Sequence, residues 1–187
     1  MNKDKLYNIL TSDNIENSIQ ENLTYLLEII PELKDMIGFP HNHPHHHLDV
    51  WNHTLFALSI SQNDFDIRLS LLLHDIGKPH SYQEGEIRHF KGHPEVSSKM
   101  SEVILKRLNF EKEEIDKICY LVRTHDMPIT NKDIEENLEL SIVRFKIQCC
   151  DALAHHPAKL EKRINYLLSV YEKINDKIPC KKLTLDY

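Results

Sequence analysis

An all-α fold is the prediction for this chain, and three observations carry it. Apolar residues recur at steps of three and four almost throughout, helix caps and proline stops punctuate the pattern, and no convincing strand pair can be drawn. The 4 glycines among 187 residues are about 2%, against a usual ~7%. That scarcity disfavours turn-dense β folds. Neither G-x-G-x-x-G nor G-x-x-x-x-G-K-[ST] can be written, so dinucleotide-binding and P-loop readings fall away.

The elements follow in order. Ile15, Ile19, Leu23, Leu26 and Ile30 predict one amphipathic helix that closes before Pro31. Asp49 is placed to cap a second, with Val50, His53, Ala57 and Ile60 on adjacent turns. Asp64 or Asp66 caps a third, whose stripe is Ile67, Leu71 and His74 and whose stop is Gly77-Lys78-Pro79. Residues 78–93, with Pro79, Gly85 and Gly92, read as a long loop or short hairpin. Pro94 suits the first turn of a helix carrying Val96, Met100, Val103 and Arg107. Ile115, Ile118, Cys119 and Val122 mark the next, ending near His125 and Pro128, and Thr130-Asn131-Lys132-Asp133 resembles a capping box. Ile142, Phe145, Cys149 and Ala152 predict a helix ending around His155-His156. Pro157 opens a last one with Leu160, Ile164, Leu167 and Tyr171. The length fits one domain with a small appendage: an N-terminal helical segment over 1–38, the main domain over 39–175 and a tail over 176–187.

Charge and cysteine usage bound the function. With 23 Lys+Arg against 29 Asp+Glu the formal charge is −6, and protonating the 13 histidines would carry it to +7. A net acidic chain is a poor general polyanion binder at neutral pH, so any basic patch must be local. Cys119, Cys149, Cys150 and Cys180 form no C-x-x-C pair and read as reduced thiols of a cytoplasmic protein. The start, Met1 to Lys5, lacks a signal-peptide apolar region, and no apolar run approaches the ~18 residues a membrane span needs.

Chemistry concentrates at Leu71-Leu72-Leu73-His74-Asp75-Ile76-Gly77-Lys78. An imidazole and a carboxylate at the buried end of an apolar helix are costly unless something compensates both. A metal ion compensates both, since it requires neutral imidazole and ionised carboxylate; a core histidine bonded to its own neighbour is the plainer alternative. His53 on the preceding helix and Asp151 on a late one add a nitrogen and a carboxylate. Three packed helices would then supply a four-residue ligand set, as helical bundles do.

These residues form the pattern H…HD…D, and the chain resembles the HD-domain metal-dependent phosphohydrolases. The stretches Pro44 to Thr54, His74 to Pro79, His89-Phe90-Lys91-Gly92-His93, Leu121 to Asp126 and Cys150 to His155 are most similar to the HD domain of bacterial tRNA nucleotidyltransferases. The resemblance covers about residues 40–156 and implies an HD-domain helical bundle with a central metal site. Asp64-Phe65-Asp66 has the D-x-D form of a polymerase head, but no glycine lies between Gly38 and Gly77, so it reads as a helix cap. The expectation is an HD domain without that head, and CCA addition is not carried over.

The resemblance implies that His53, His74, Asp75 and Asp151 hold a divalent ion: Mn, Fe, Co, Ni, Zn or Mg, since the donors are nitrogen and oxygen. His93 and His125 could hold a second ion with Asp75 bridging, or instead bind phosphate or cap helices, giving one or two ions per chain. Lys78 is the candidate phosphate contact and, with Asp75, the candidate catalytic pair. Arg123 is a second phosphate candidate or an interhelical ion pair. His46 falls where the resembled family has a cleft histidine, and His41, His43, His45 and His47 read as a solvated loop. His155-His156 read as imidazoles protonated at a helix C-terminus. Lys159, Lys162, Arg163, Lys181 and Lys182 could form a local basic face, and the cysteines pack in the core. The expected activity is hydrolysis of a phosphomonoester or phosphodiester in a nucleotide or at an RNA end. The alternative is a non-catalytic module of the same fold that binds a nucleotide or RNA, or, more weakly, a histidine-rich metal buffer. Fold and metal motif cannot name the substrate.

Overall fold

The computed structural model describes residues 2–43, 47–157 and 160–178. Ten helices are found among them: α1 (Asn2–Leu10), α2 (Ile15–Glu21), α3 (Leu23–Ile29), α4 (Val50–Ser59), α5 (Phe65–Leu73), α6 (His93–Arg107), α7 (Lys112–Arg123), α8 (Asn131–Glu136), α9 (Leu138–Leu153) and α10 (Leu160–Asn175). Short 3₁₀ turns run over Pro31–Met36 and Lys78–His80. No strand forms among the described residues; the 78–93 segment keeps only an isolated bridge between Gln83 and His89.

α5 is the axis of the molecule. Ile67, Leu69, Leu71, Leu72 and Leu73 are all buried, as are Arg68 and Ser70, so this helix is covered all round by α1, α4, α6, α7 and α9. Asp64 caps it, accepting from Ile67 N at 3.0 Å, while Asp66 pairs with Lys117 on α7. The D-x-D is therefore a cap followed by a surface ion pair. Arg68 ties α1 to α5 by donating from Nη1 to Leu10 O and Ser12 O, both at 2.7 Å. Leu6, Leu10, Ile19, Leu26 and Met36 share one continuous core with α5. A smaller cluster of Ile129, Ile134, Val170 and Ile174 joins α8 and α10 across α9.

Several sequence expectations need correction. The helix expected over 15–30 is broken at Asn22, whose side chain donates to Ser18 O at 2.9 Å in competition with the helical ladder. α1 lies within the expected helical segment 1–38, ahead of the helix drawn from Ile15. α6 buries Ser97, Ser98, Ser101, Ile104 and Leu105 rather than the expected stripe, and Val103 is exposed. Small side chains let α6 approach closely: Gly77 N donates to Ser97 Oγ at 2.9 Å, and Ser98 Oγ donates to Cys119 O of α7 at 3.0 Å. On α10, Leu167, Val170 and Ile174 are buried while Ile164 and Tyr171 face out.

α5 also ends earlier than expected. Its last helical residue is Leu73, and His74 to Gly77 form a tight turn with Ile76 N on Leu73 O at 3.3 Å. The cause is local. His74 Nδ1 donates to Leu71 O at 2.7 Å, taking the carbonyl that Asp75 N would use to continue the helix.

Two substitutions test these constraints by urea unfolding. Asp64→Ala should cost ~1 kcal/mol as a lost cap, and Asp66→Ala no more than ~0.5 kcal/mol as a lost exposed ion pair. Gly77→Ala places a Cβ 2.5 Å from Ser97 N and 3.0 Å from His93 O, both backbone atoms. It should therefore destabilise by ~1–3 kcal/mol through overpacking.

Candidate metal centre

Three helix ends and one helix face meet over the end of α5. His53 comes from the middle of α4, His74 and Asp75 from the turn after α5, and Asp151 from the last turn of α9. His93 opens α6, and His125 lies just beyond α7. His53 Nε2 is 3.0 Å from Asp151 Oδ1 and 3.6 Å from Asp75 Oδ2, and His74 Nε2 is 3.3 Å from Asp75 Oδ2. On the other side of Asp75, Oδ1 is 3.2 Å from His93 Nε2 and 3.9 Å from His125 Nε2. All six residues anticipated as ligands are thus brought together, with Asp75 between two imidazole pairs.

One device aims the rings. Nδ1 of His53 donates to Ala154 O at 3.2 Å, of His74 to Leu71 O at 2.7 Å, of His93 to Phe90 O at 2.9 Å and of His125 to Val122 O at 2.7 Å. A carbonyl can only accept, so Nδ1 carries the hydrogen and Nε2 is the atom turned to the carboxylates. In His74 and His125 the accepting carbonyl lies three residues back, and in each case the helix stops there. The bond that ends the helix also orients the ligand.

The arrangement has the signature of a cation site. His74 Nε2 and both oxygens of Asp75 are buried without a hydrogen-bond partner, since Lys78 Nζ, 2.6 Å from Asp75 Oδ2, is off the hydrogen-bonding direction. His93 Nε2 and His125 Nε2 face one another at 3.3 Å. Among the described residues, three donor groups are close enough to hold an ion: His53, His74 and Asp75; His53, Asp151 and His155; and Asp75, His93 and His125. Neutral imidazole nitrogens with carboxylate oxygens suit a divalent transition metal or Mg, so these residues fit such an ion.

Electrostatics agree. Burial opposes ionisation of Asp75 and Asp151, but the His74 and Lys78 cations beside Asp75, and the His53 hydrogen bond with His74 and Arg163 close by at Asp151, hold both well below the usual carboxylate range. Burial would lower His74, yet the charges of Asp75 and Asp151 outweigh it and raise it to about 10. His125, lowered to about 3 by burial and by the neighbouring His74 and His93, stays neutral.

A cleft of about 380 Å³ opens over Asp75 and Asp151, and its walls carry Lys78, Arg88, Lys91 and Arg163. The same lining holds Asp75, Asp126 and Asp151, and Arg88 and Arg163 are paired with Glu84 and Asp151. A family model describing the HD domain matches residues 45–171. The chain belongs to the HD domain family. Its relatives include the CC-adding tRNA nucleotidyltransferase of Thermus thermophilus, 35% identical over 104 residues, which are 51% of this chain and 24% of that protein. The A-adding tRNA nucleotidyltransferase of Deinococcus radiodurans is 30% identical over 143 residues, 71% of this chain and 33% of that protein. The chain thus matches a quarter to a third of the length of these curated relatives. HD domains bind divalent metals, which the His/Asp clusters here are able to hold.

Other expectations are amended by the HD structure. Arg123 is exposed on α7 and does not line the cleft; Arg88 and Arg163 do. Arg163 is no part of a solvated basic face, because its guanidinium makes a short contact with Asp151 Oδ2. His155 is not a protonated helix end: it donates from Nδ1 to Asp151 O at 2.7 Å, and burial lowers it to about 4. The i,i+4 spacing of Asp151 and His155 was the available signal. His41 is not in a solvated loop but 1% exposed, bonded to Leu48 O and Lys78. His45, His46, Lys159, Cys180, Lys181 and Lys182 lie outside the described residues. Cys119, Cys149 and Cys150 are free thiols raised to about 11, chiefly by burial, which suits packing and not nucleophilic attack.

A pH prediction follows from His74. In the metal-free protein its raised value contributes stability that is complete below the ordinary 6.5 and is lost as pH rises toward about 10. Metal ligation requires the neutral ring, so binding releases this proton. The gap in thermal midpoint between Mn-loaded and metal-free protein should widen from pH 6.5 to 9, measured by calorimetry at fixed Mn.

Proposed function

We propose that this chain is a metal-dependent phosphohydrolase whose substrate is a nucleotide or an RNA-end phosphate ester. The reading is supported by His/Asp groups able to hold a divalent ion on the floor of a cleft whose walls carry Lys78, Arg88, Lys91 and Arg163. His53, His74, Asp75 and Asp151 would hold one ion, and Asp75, His93 and His125 a second, with the two oxygens of Asp75 facing the two sets. Bound metal would supply Lewis acidity and lower the pKa of water enough for attack on phosphorus near neutral pH.

The protein's own groups do the rest. Asp75 is oriented and kept ionised by the cations around it, and in this reading it holds the metal, while the proton of the attacking water leaves to solvent at the cleft mouth. Lys78, only 5% exposed, projects its ammonium beside Asp75 and neutralises charge developing on the phosphoryl oxygens. Arg163 restrains Asp151 and presents a guanidinium fork to the cleft. Asp126 at the cleft wall is suited to a sugar hydroxyl.

The relatives' names concern tRNA, which makes an RNA 3′ end the first macromolecular ligand to test. A non-catalytic RNA-binding module remains the second reading on that observation. Its mark would be salt-sensitive RNA binding that survives Asp75→Ala.

The test is turnover of p-nitrophenyl phosphate and bis-p-nitrophenyl phosphate after metal stripping, with Mn, Co, Ni, Zn or Mg restored singly. Turnover should require a metal, vanish in Asp75→Ala and fall roughly 10²- to 10³-fold in Lys78→Met. Absence of turnover with every metal, in protein that still binds one, would move the assignment to the binding module.

A further inference from the structure

His41 belongs to none of the ligand groups, yet it is buried against the centre. Its Nδ1 donates to Leu48 O at 2.8 Å, which closes the histidine-rich loop and leaves Nε2 as an acceptor. Nε2 lies 3.0 Å from Lys78 Nζ, and that same Nζ lies 2.6 Å from Asp75 Oδ2. The ring is held edge-on to His53 at 5.5 Å and to Phe90 at 5.7 Å between centroids. Phe90 also offers its ring to the Lys78 ammonium at 5.6 Å. Residues 39–40 are pinned in turn, Val50 N donating to Phe39 O at 3.0 Å where Pro40 bridges Asp49.

The geometry points to His41 as a positioning residue for Lys78: it accepts one ammonium hydrogen at Nε2 and so fixes the charge against Asp75 at the cleft floor. A lysine side chain is a flexible four-carbon stem whose ammonium can take many positions. Without a fixed acceptor the ammonium would be free to leave Asp75 for solvent at the cleft mouth. One of its three N–H groups is used by His41 and the others remain for a bound phosphate oxygen, with the charge held 2.6 Å from Asp75 Oδ2. Loop closure and lysine positioning use different ring nitrogens, so they can be separated.

The kinetic readout rests on the phosphohydrolase reading; a spectroscopic one does not. His41→Asn keeps an amide donor near the Nδ1 position for Leu48 O and lacks the Nε2 acceptor. His41→Gln carries an amide oxygen out to the Nε2 position. His41→Asn should fold and bind Mn alone with near wild-type affinity, while kcat falls roughly 10- to 100-fold, the scale for supporting residues at metal sites. His41→Gln should recover most of that loss, and His41→Asn should add nothing in a Lys78→Met background. If the wild type turns over no ester, the activity reading fails on its own. Positioning is then read from the ¹⁵N signal of the Lys78 ammonium, expected in wild type and His41→Gln and lost in His41→Asn. An unchanged kcat and ammonium signal in His41→Asn, or a loss that adds fully to that of Lys78→Met, would overturn the inference.

Discussion

A desolvated carboxylate governs this structure. Asp75 has a side chain 1% exposed, and leaving a charge there uncompensated would cost several kcal/mol. Everything near it is arranged to compensate: Lys78 and His93 at close range, His53, His74 and His125 around it, and a second carboxylate, Asp151, that completes a cation-binding set. The carboxylates repel one another and attract the same cations, so the centre is stable only with positive charge in it. Without metal, a protonated His74 and Lys78 supply that charge, which is why the preference of His74 for its proton and its fitness as a ligand have the same origin.

Precision comes from the backbone. Four histidines place their Nε2 atoms by donating from Nδ1 to carbonyls, two of which are freed where a helix ends. Helix ends leave carbonyls without intrahelical partners, so they can orient a ring at little cost. α5 contributes rigidity: a helix buried on every face cannot tilt without disturbing five neighbours. Gly77 and the serines of α6 let that helix pack close enough for His93 to reach Asp75, so the spacing between the two imidazole pairs depends on the absence of one Cβ.

Basic side chains gather at the cleft. Acidic residues exceed basic ones over the whole chain, but Lys78, Arg88, Lys91 and Arg163 converge where the carboxylates lie beneath. Local potential, not net charge, decides what enters such a site. Arg163 and His41 each touch a central group without belonging to the H…HD…D pattern, and both narrow the positions that Asp151 and Lys78 can take.

The sequence alone determined the helical class and the caps at Asp49 and Thr130, left Asp64 and Asp66 as alternatives for the α5 cap, and singled out His53, His74, Asp75 and Asp151, which the fold brings together. Periodicity and capping are local properties, and a histidine and an aspartate after three leucines are legible because burial of such groups demands a partner. It misjudged the face of α6, because buried serines carry no hydrophobic signal, and the end of α5, because that helix stops on a side chain's hydrogen bond. Tertiary structure decided the roles of His41, His155, Arg123 and Arg163. Whether an imidazole in a histidine-rich loop is solvated or buried, and which arginine reaches a cleft, depends on contacts between residues far apart in the chain. No local pattern encodes those distances.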